Sequence, residues 1–153
     1  MSDINFGNIT EALNNKVDKE DLNRDYYFYK WPSSFTLSGG QSEEHSFTIT
    51  PKLGRPVFII CSGDTNQATS TTTWFTLNLY KSISGTNTVL TSLISETRGE
   101  QQNTPFVLSY MDTNVLAGNT YSYKLSFTIA SGVGAANFSE TPKGSPQVSA
   151  FEI

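Results

Sequence analysis

One cysteine and one histidine in 153 residues withhold most metal and nucleophile chemistry from this chain. A lone Cys61 cannot form an internal disulfide, nor can it supply a four-cysteine or Cys₂His₂ zinc site. It stands in the apolar run Val57-Phe58-Ile59-Ile60-Cys61, where a buried, unreactive thiol is expected. His45 lies in Glu43-Glu44-His45-Ser46-Phe47, at the start of a strand. An exposed or edge imidazole is expected there rather than a general base.

Charge is also scarce. Asp, Glu, Lys and Arg make up 16% of the chain, against roughly 25% in an average globular protein. The net charge is −4, and no basic cluster of the kind that tracks phosphate occurs. Nucleic acid is therefore not an expected partner, and an acidic surface disfavours anionic lipid. No stretch is long and apolar enough to span a membrane, so no membrane insertion is expected. The opening Met1-Ser2-Asp3 has no apolar signal region, which suggests synthesis in a cytoplasm or a fragment of something larger.

Motifs of catalysis are missing too. There is no Gly-x-Ser-x-Gly elbow, no dinucleotide fingerprint and no P-loop. Gly132-Val133-Gly134 reads as hairpin glycines. Paired carboxylates could serve a glycosidase. The acids beyond residue 31 are Glu43, Glu44, Asp64, Glu96, Glu100, Asp112, Glu140 and Glu152, all near expected loops or strand ends, where solvated surface is the plain reading. Asp64, in Ser62-Gly63-Asp64-Thr65-Asn66, looks like a fragment of a calcium loop but lacks the further acids. The chain is thus expected to be non-catalytic, with no cofactor and no bound metal.

What fills the space is Ser, Thr, Asn and Gln, together with 12% aromatics, enough for a core. The charge that exists is uneven. Ten of the 24 charged residues fall in the first 30 positions, which marks a boundary near Trp31-Pro32. Residues 1–30 form one expected unit and residues 31–153 another.

The first unit carries helix signals. Asn8 with Glu11 makes a capping box, and Ile9, Leu13 and Val17 follow at spacing four. Asp18 with Asp21 makes a second cap, flanked by Val17 and Leu22 as a staple. Two such short helices are not stable alone in water. The stripe can dock on the chain's own sheet, or it can meet copies of itself in a parallel bundle.

From Ser33 onward the period is two. Phe35/Leu37, Phe47/Ile49, Phe75/Leu77/Leu79, Phe106/Leu108/Tyr110 and the run from Tyr121 to Ile129 alternate with polar residues, as half-buried strands do. Val57–Cys61 reads as a central strand, and Val89–Ile94, Val148–Ile153 and a weak strand near Phe138 complete the set. Turn residues separate them throughout. The expected fold is all-β: an antiparallel sandwich or jelly roll with a short N-terminal helical stem.

The segment Asn8-Ile9-Thr10-Glu11-Ala12-Leu13-Asn14-Asn15-Lys16-Val17-Asp18-Lys19-Glu20-Asp21-Leu22-Asn23 resembles a motif of phage tail-fibre and receptor-binding proteins. In that family similar stretches form stem units ahead of a β-rich tip. The resemblance covers about 16 residues. It implies a virion component made in the host cytoplasm, assembled as a parallel homotrimer. It also implies binding of a bacterial surface glycan or outer-membrane receptor. Ile9, Leu13, Val17 and Leu22 would then be the oligomerisation residues. A stand-alone bacterial carbohydrate-binding or adhesion module remains the alternative.

If each hairpin reverses direction, the loops alternate between the stem end and the far end. The two longest polar loops, Ser62–Thr73 and Glu96–Thr104, then share the far end, where receptor contacts are expected. The candidates are Asn66, Gln67, Arg98, Gln101, Gln102 and Asn103, with Trp74 placed to stack on a sugar ring. Tyr26, Tyr27, Phe28, Tyr29 and Trp31 form an aromatic cluster at the joint between the units, expected to be a packing or subunit contact.

Overall fold

The computed structural model describes residues 24–67, 73–97, 104–131, 134–138 and 145–153. The segment 1–23, with its expected helices and Ile9, Leu13, Val17 and Leu22, lies outside the described residues.

Ten strands make two antiparallel sheets. They are β1 (Tyr26–Lys30), β2 (Phe35–Leu37), β3 (Ser42–Ile49), β4 (Val57–Gln67), β5 (Thr73–Ile83), β6 (Thr86–Thr97), β7 (Thr104–Asp112), β8 (Tyr121–Ile129), β9 (Ala136–Phe138) and β10 (Gln147–Glu152). The four-stranded sheet runs β3-β8-β5-β6. In the six-stranded sheet, β7 pairs with one edge of β4 from Val57 to Thr65. The other edge of β4 pairs first with β10, from Val57 to Ser62, and then with β9, from Thr65 to Gln67. Strand β1 lies beyond β10, and β2 beyond β9.

That register shows that β1 and β2 are two halves of one interrupted strand, and β9 and β10 two halves of another. Counted so, eight strands form two four-stranded sheets, the jelly-roll arrangement. Trp31 N–H donates to the Pro146 carbonyl at 3.0 Å, so the ladder continues one step past Lys30 before the two halves part.

Alternation builds the core. Inward positions of β4, β5, β7 and β8 carry Val57, Ile59 and Cys61, then Phe75, Leu77 and Leu79, then Phe106 and Leu108, then Leu125, Phe127 and Ile129, all buried. Toward one end, Phe75, Phe106, Phe127 and Phe138 pack together, five of the six pairs edge-to-face with ring centroids 5.0–6.3 Å apart and Phe75–Phe127 tilted at 6.4 Å. Ser84 and Gly85 both take positive φ in the two-residue turn joining β5 and β6, as a twist-matched hairpin requires.

Two expectations need correction. Residues 26–30 were assigned to the stem; they are strand β1, paired along its length with β10. The cluster divides by the pleat. Tyr27, Tyr29 and Trp31 turn inward against His45, Phe47 and Phe35, while Tyr26 and Phe28 point outward. Strand β10 was expected to reverse the direction of the preceding strand. Both β9 and β10 run antiparallel to β4 along the same edge of it, so β10 continues the direction of β9.

Candidate functional site

The far-end arrangement follows from register. Thr73 pairs with Thr97, Thr65 with Thr104, and Phe75 with Ile129, so the strand ends leading to 68–72, 98–103 and 130–135 share one edge. Two of the expected loops are partly strand. β4 runs on to Gln67, which makes Asp64 and Asn66 strand residues, and β6 runs on to Thr97. Asn66 pairs with Asn137 and lies by the pleat on the outer face of the six-stranded sheet. Gln67 ends the same strand. Trp74 is 50% exposed on the outer face of the other sheet, so the fold separates it from Asn66. Arg98, Gln101, Gln102 and Asn103 lie outside the described residues.

The outer face of the six-stranded sheet has two zones. The lower zone is apolar. Tyr26, Phe151, Phe58 and Met111 stand side by side across four strands. Phe28 and Ile60 follow in the next row, with Ser149 between them. Tyr26 is 61% exposed, and Phe28 and Met111 are exposed too. Phe58 and Phe151 meet edge-to-face at 5.6 Å.

The upper zone holds a cleft of about 230 Å³ over the end of β4. Ser62, Gly63 and Asp64 form its floor, Pro105 and Val107 one wall, and Ser145 and Gln147 the other. Gly63 matters here. A Cβ at this position would stand 2.8 Å from the Phe106 ring and 3.1 Å from the Pro146 Cα. The Gly63 Cβ direction points to the inner side of the sheet, so its missing side chain lets the core Phe106 ring pack against the strand beneath the cleft.

Three carboxylates are buried among the described residues. Glu152 accepts N–H bonds from Lys52 (3.0 Å), Leu53 (2.9 Å) and Arg55 (2.8 Å), which pins the loop between β3 and β4. Asp112 meets Lys81 Nζ at 2.7 Å and accepts from Tyr123 O–H at 2.7 Å and Asn114 N–H at 2.9 Å. Burial and the Asp112 carboxylate hold the Tyr123 hydroxyl well above the ordinary tyrosine range. Both are satisfied structural clamps at the stem end. Asp64 is the third. It is 2% exposed, and no donor reaches its Oδ2. Buried polar atoms without partners are rare, and each calls for a water, an ion, a ligand or strain to account for it.

Other chemistry is spoken for. Cys61 is buried, and burial pushes its thiol up to about 12, as an inert core thiol requires. His45 accepts or donates a hydrogen bond with Tyr27 and stacks on Tyr29 at 3.8 Å. It sits on an edge strand, half-buried in the aromatic cluster. No group of three or more His, Cys, Asp or Glu fit to hold a metal occurs among the described residues.

With this geometry in hand, comparisons with known proteins add little. No family model and no curated protein matches the chain. Similar solved structures include Eiger TNF from S. frugiperda, at 6% identity and TM-score 0.49, covering 85% of this chain and 91% of that one. The VP2 subviral particle of infectious bursal disease virus matches at 10% identity and TM-score 0.47, over 84% of this chain. The chain spans only 37% of VP2. TmCBM61, solved in complex with beta-1,4-galactotriose, matches at 16% identity and TM-score 0.43, over 80% of each chain. Likenesses this distant carry no argument about ligand or assembly.

The sequence pointed to loops for the site. It missed the cleft residues Ser62, Asp64, Pro105, Val107 and Gln147. The signal that could have found Asp64 is parity. Counting by twos from Phe58 and Ile60 puts Ser62 and Asp64 on the same outward face.

Proposed function

We propose that this chain is the non-catalytic tip of a virion fibre, acting as a homotrimer that binds a glycan on the bacterial surface. The observation that supports assembly is the apolar lower zone of the six-stranded sheet. An outer sheet face that meets only water alternates to polar residues. Here Tyr26, Phe151, Phe58 and Met111 form one apolar row, with Phe28 and Ile60 beside it. Contiguous exposed apolar surface of this kind marks an interface. A second copy of the chain is the occupant we favour. The face begins at β1, four residues after Leu22, the last apolar residue of the stem-like segment. A bundle of that segment would deliver three copies of β1 to the axis together. Multiplied weak binding at the tips would then raise avidity.

Light scattering on the full chain tests this. A mass of three chains, falling to one in Phe28→Glu, is the expected result. A monomer at micromolar concentration would remove the fibre reading.

One observation favours a second reading, a monomeric carbohydrate-binding module. Trp74 stands exposed on the outer face of the four-stranded sheet, with exposed Ile94 opposite its neighbour Thr76 and a bonded Asn78–Ser92 pair (2.6 Å) beyond. That is a platform of the kind on which a sugar ring can stack. A monomer that loses glycan binding in Trp74→Ala would select this reading.

A further inference from the structure

We infer that the cleft over β4 is a subsite for one pyranose ring, with Asp64 as acceptor for its hydroxyl groups. The inference deepens the glycan-binding reading by naming a site and a ligand class, and it does not depend on the trimer.

The argument begins with the unpaired carboxylate. An Asp that is 98% buried with no protein donor at Oδ2 is destabilising unless a water or a ligand completes it. The fold satisfies its two other buried carboxylates, Glu152 and Asp112, so Asp64 differs from them. It is also the one of the three that lines this cleft.

The lining then selects the ligand. A divalent cation needs several oxygen ligands, commonly more than one of them a carboxylate. No second acid joins Asp64 among the described residues. A phosphate or carboxylate would be repelled. A sugar fits: its hydroxyls donate to a carboxylate and also exchange hydrogen bonds with Ser62 and Gln147, on the floor and one wall. The C–H face of the ring needs apolar contact, which Val107 and Pro105 supply.

Size sets the extent. At about 230 Å³ the cleft falls below the roughly 300–1,000 Å³ of drug-sized pockets, which suits one ring rather than a chain. Gly63 is part of the design. Any side chain there would press on the Phe106 ring and the Pro146 backbone beneath the strand and so shift Ser62 and Asp64, which flank it in the floor.

The test is protein-observed NMR of the full chain, titrated in separate experiments with D-glucose, D-galactose, D-mannose, their N-acetylamino forms, and calcium chloride. Binding of at least one sugar in the millimolar range is expected, with shifts centred on Ser62, Asp64 and Val107. Asp64→Asn should weaken it by tenfold or more while leaving the melting temperature equal or higher, because it removes an unpaired buried carboxylate. Val107→Trp, on an exposed wall position, should block the cleft without touching Asp64. Unchanged sugar binding in both variants would overturn the inference. So would shifts at Asp64 with calcium and with none of the sugars. If Asp64→Asn melts markedly lower, Asp64 is a structural residue and the inference fails. Whole-cell or lipopolysaccharide binding that survives both variants would sink this subsite and leave the fibre reading standing.

Discussion

At the scale of single residues, the polar groups inside this sandwich do different work, and their partners show which. Asp112 is clamped by three donors, whereas Lys81 keeps the Asn114 carbonyl at 2.8 Å and the Tyr121 ring at 4.2 Å even without its ion pair. The two deletions should therefore differ. Asp112→Ala leaves a buried ammonium without its counter-charge and a tyrosine hydroxyl without its acceptor, and should cost about 3–5 kcal/mol. Lys81→Met leaves Asp112 with two donors and an apolar side chain in place of the stem, and should cost about half as much. Urea unfolding of both variants measures this, and equal losses would mean that Asp112 is not the hub.

His45 gives the residue-scale prediction for pH. Burial against Tyr29, Trp31 and Phe47 lowers its pKa below the ordinary range, with Glu43 opposing. The neutral ring also suits Nε2 as acceptor for the Tyr27 hydroxyl. A depressed histidine lets the unfolded chain take up its proton first. Stability is then flat above the unfolded pKa of about 6.5 and falls as pH drops from there toward the folded pKa. His45→Phe keeps the stacking and removes the titration. Its melting temperature should change less than the parent's between about pH 7.5 and 5.5. Parallel curves for the two proteins would show that the fall comes from other groups.

At the scale of elements, the period-two runs made most strands legible. Phe75/Leu77/Leu79 and the run from Tyr121 to Ile129 face a core on one side and polar surroundings on the other, so pattern and structure agree. Strand β1 escaped that reading for a physical reason. Tyr26-Tyr27-Phe28-Tyr29 does not alternate, because both of its faces are apolar: Tyr27 and Tyr29 pack inside, while Tyr26 and Phe28 extend the outer apolar rows. The missing alternation is itself the trace of a two-sided strand. Asp64 was legible as a residue and illegible as a site. The apolar run ends at Cys61, yet the ladder with β7 carries the strand on to Thr65 and the ladder with β9 to Gln67, six residues further. Pairing set that boundary, and hydrophobicity could not reveal it.

The same element carries a truncation prediction. Removing residues 1–23 leaves β1 whole, together with Asp25, whose carboxylate accepts from the Thr50 and Tyr26 N–H groups. Removing residues 1–32 strips β1 from β10, exposes the β10 edge and takes away buried Trp31. Edge exposure invites aggregation, and loss of a buried Trp alone costs about 3–5 kcal/mol. The first truncation should melt as a cooperative fold. The second should melt far lower or aggregate on expression. Equal melting temperatures would mean that β1 is an accessory strand and that the sandwich is complete from β2.

At the scale of the whole molecule, the two zones of one sheet face suggest a division of labour. The apolar rows lie toward the stem end, and the Asp64 cleft lies toward the far end. A subunit contact through the lower zone would leave the cleft at the rim of the assembly, open to a ligand. Folding and assembly would then be linked, because a face with this much aromatic surface gains its burial only when copies meet. The melting temperature of the full chain should rise with protein concentration, since mass action favours the associated folded state. Phe28→Glu places a carboxylate in the middle of the apolar zone, on an exposed position where the isolated sandwich loses little. It should abolish the concentration dependence while leaving a folded monomer by circular dichroism. Sugar shifts at Asp64 should persist in that monomer if the cleft is complete within one chain. Their loss on dissociation would instead show that a neighbouring copy supplies part of the site. A melting temperature independent of concentration in the parent protein would mean that the apolar rows do not join copies of this chain.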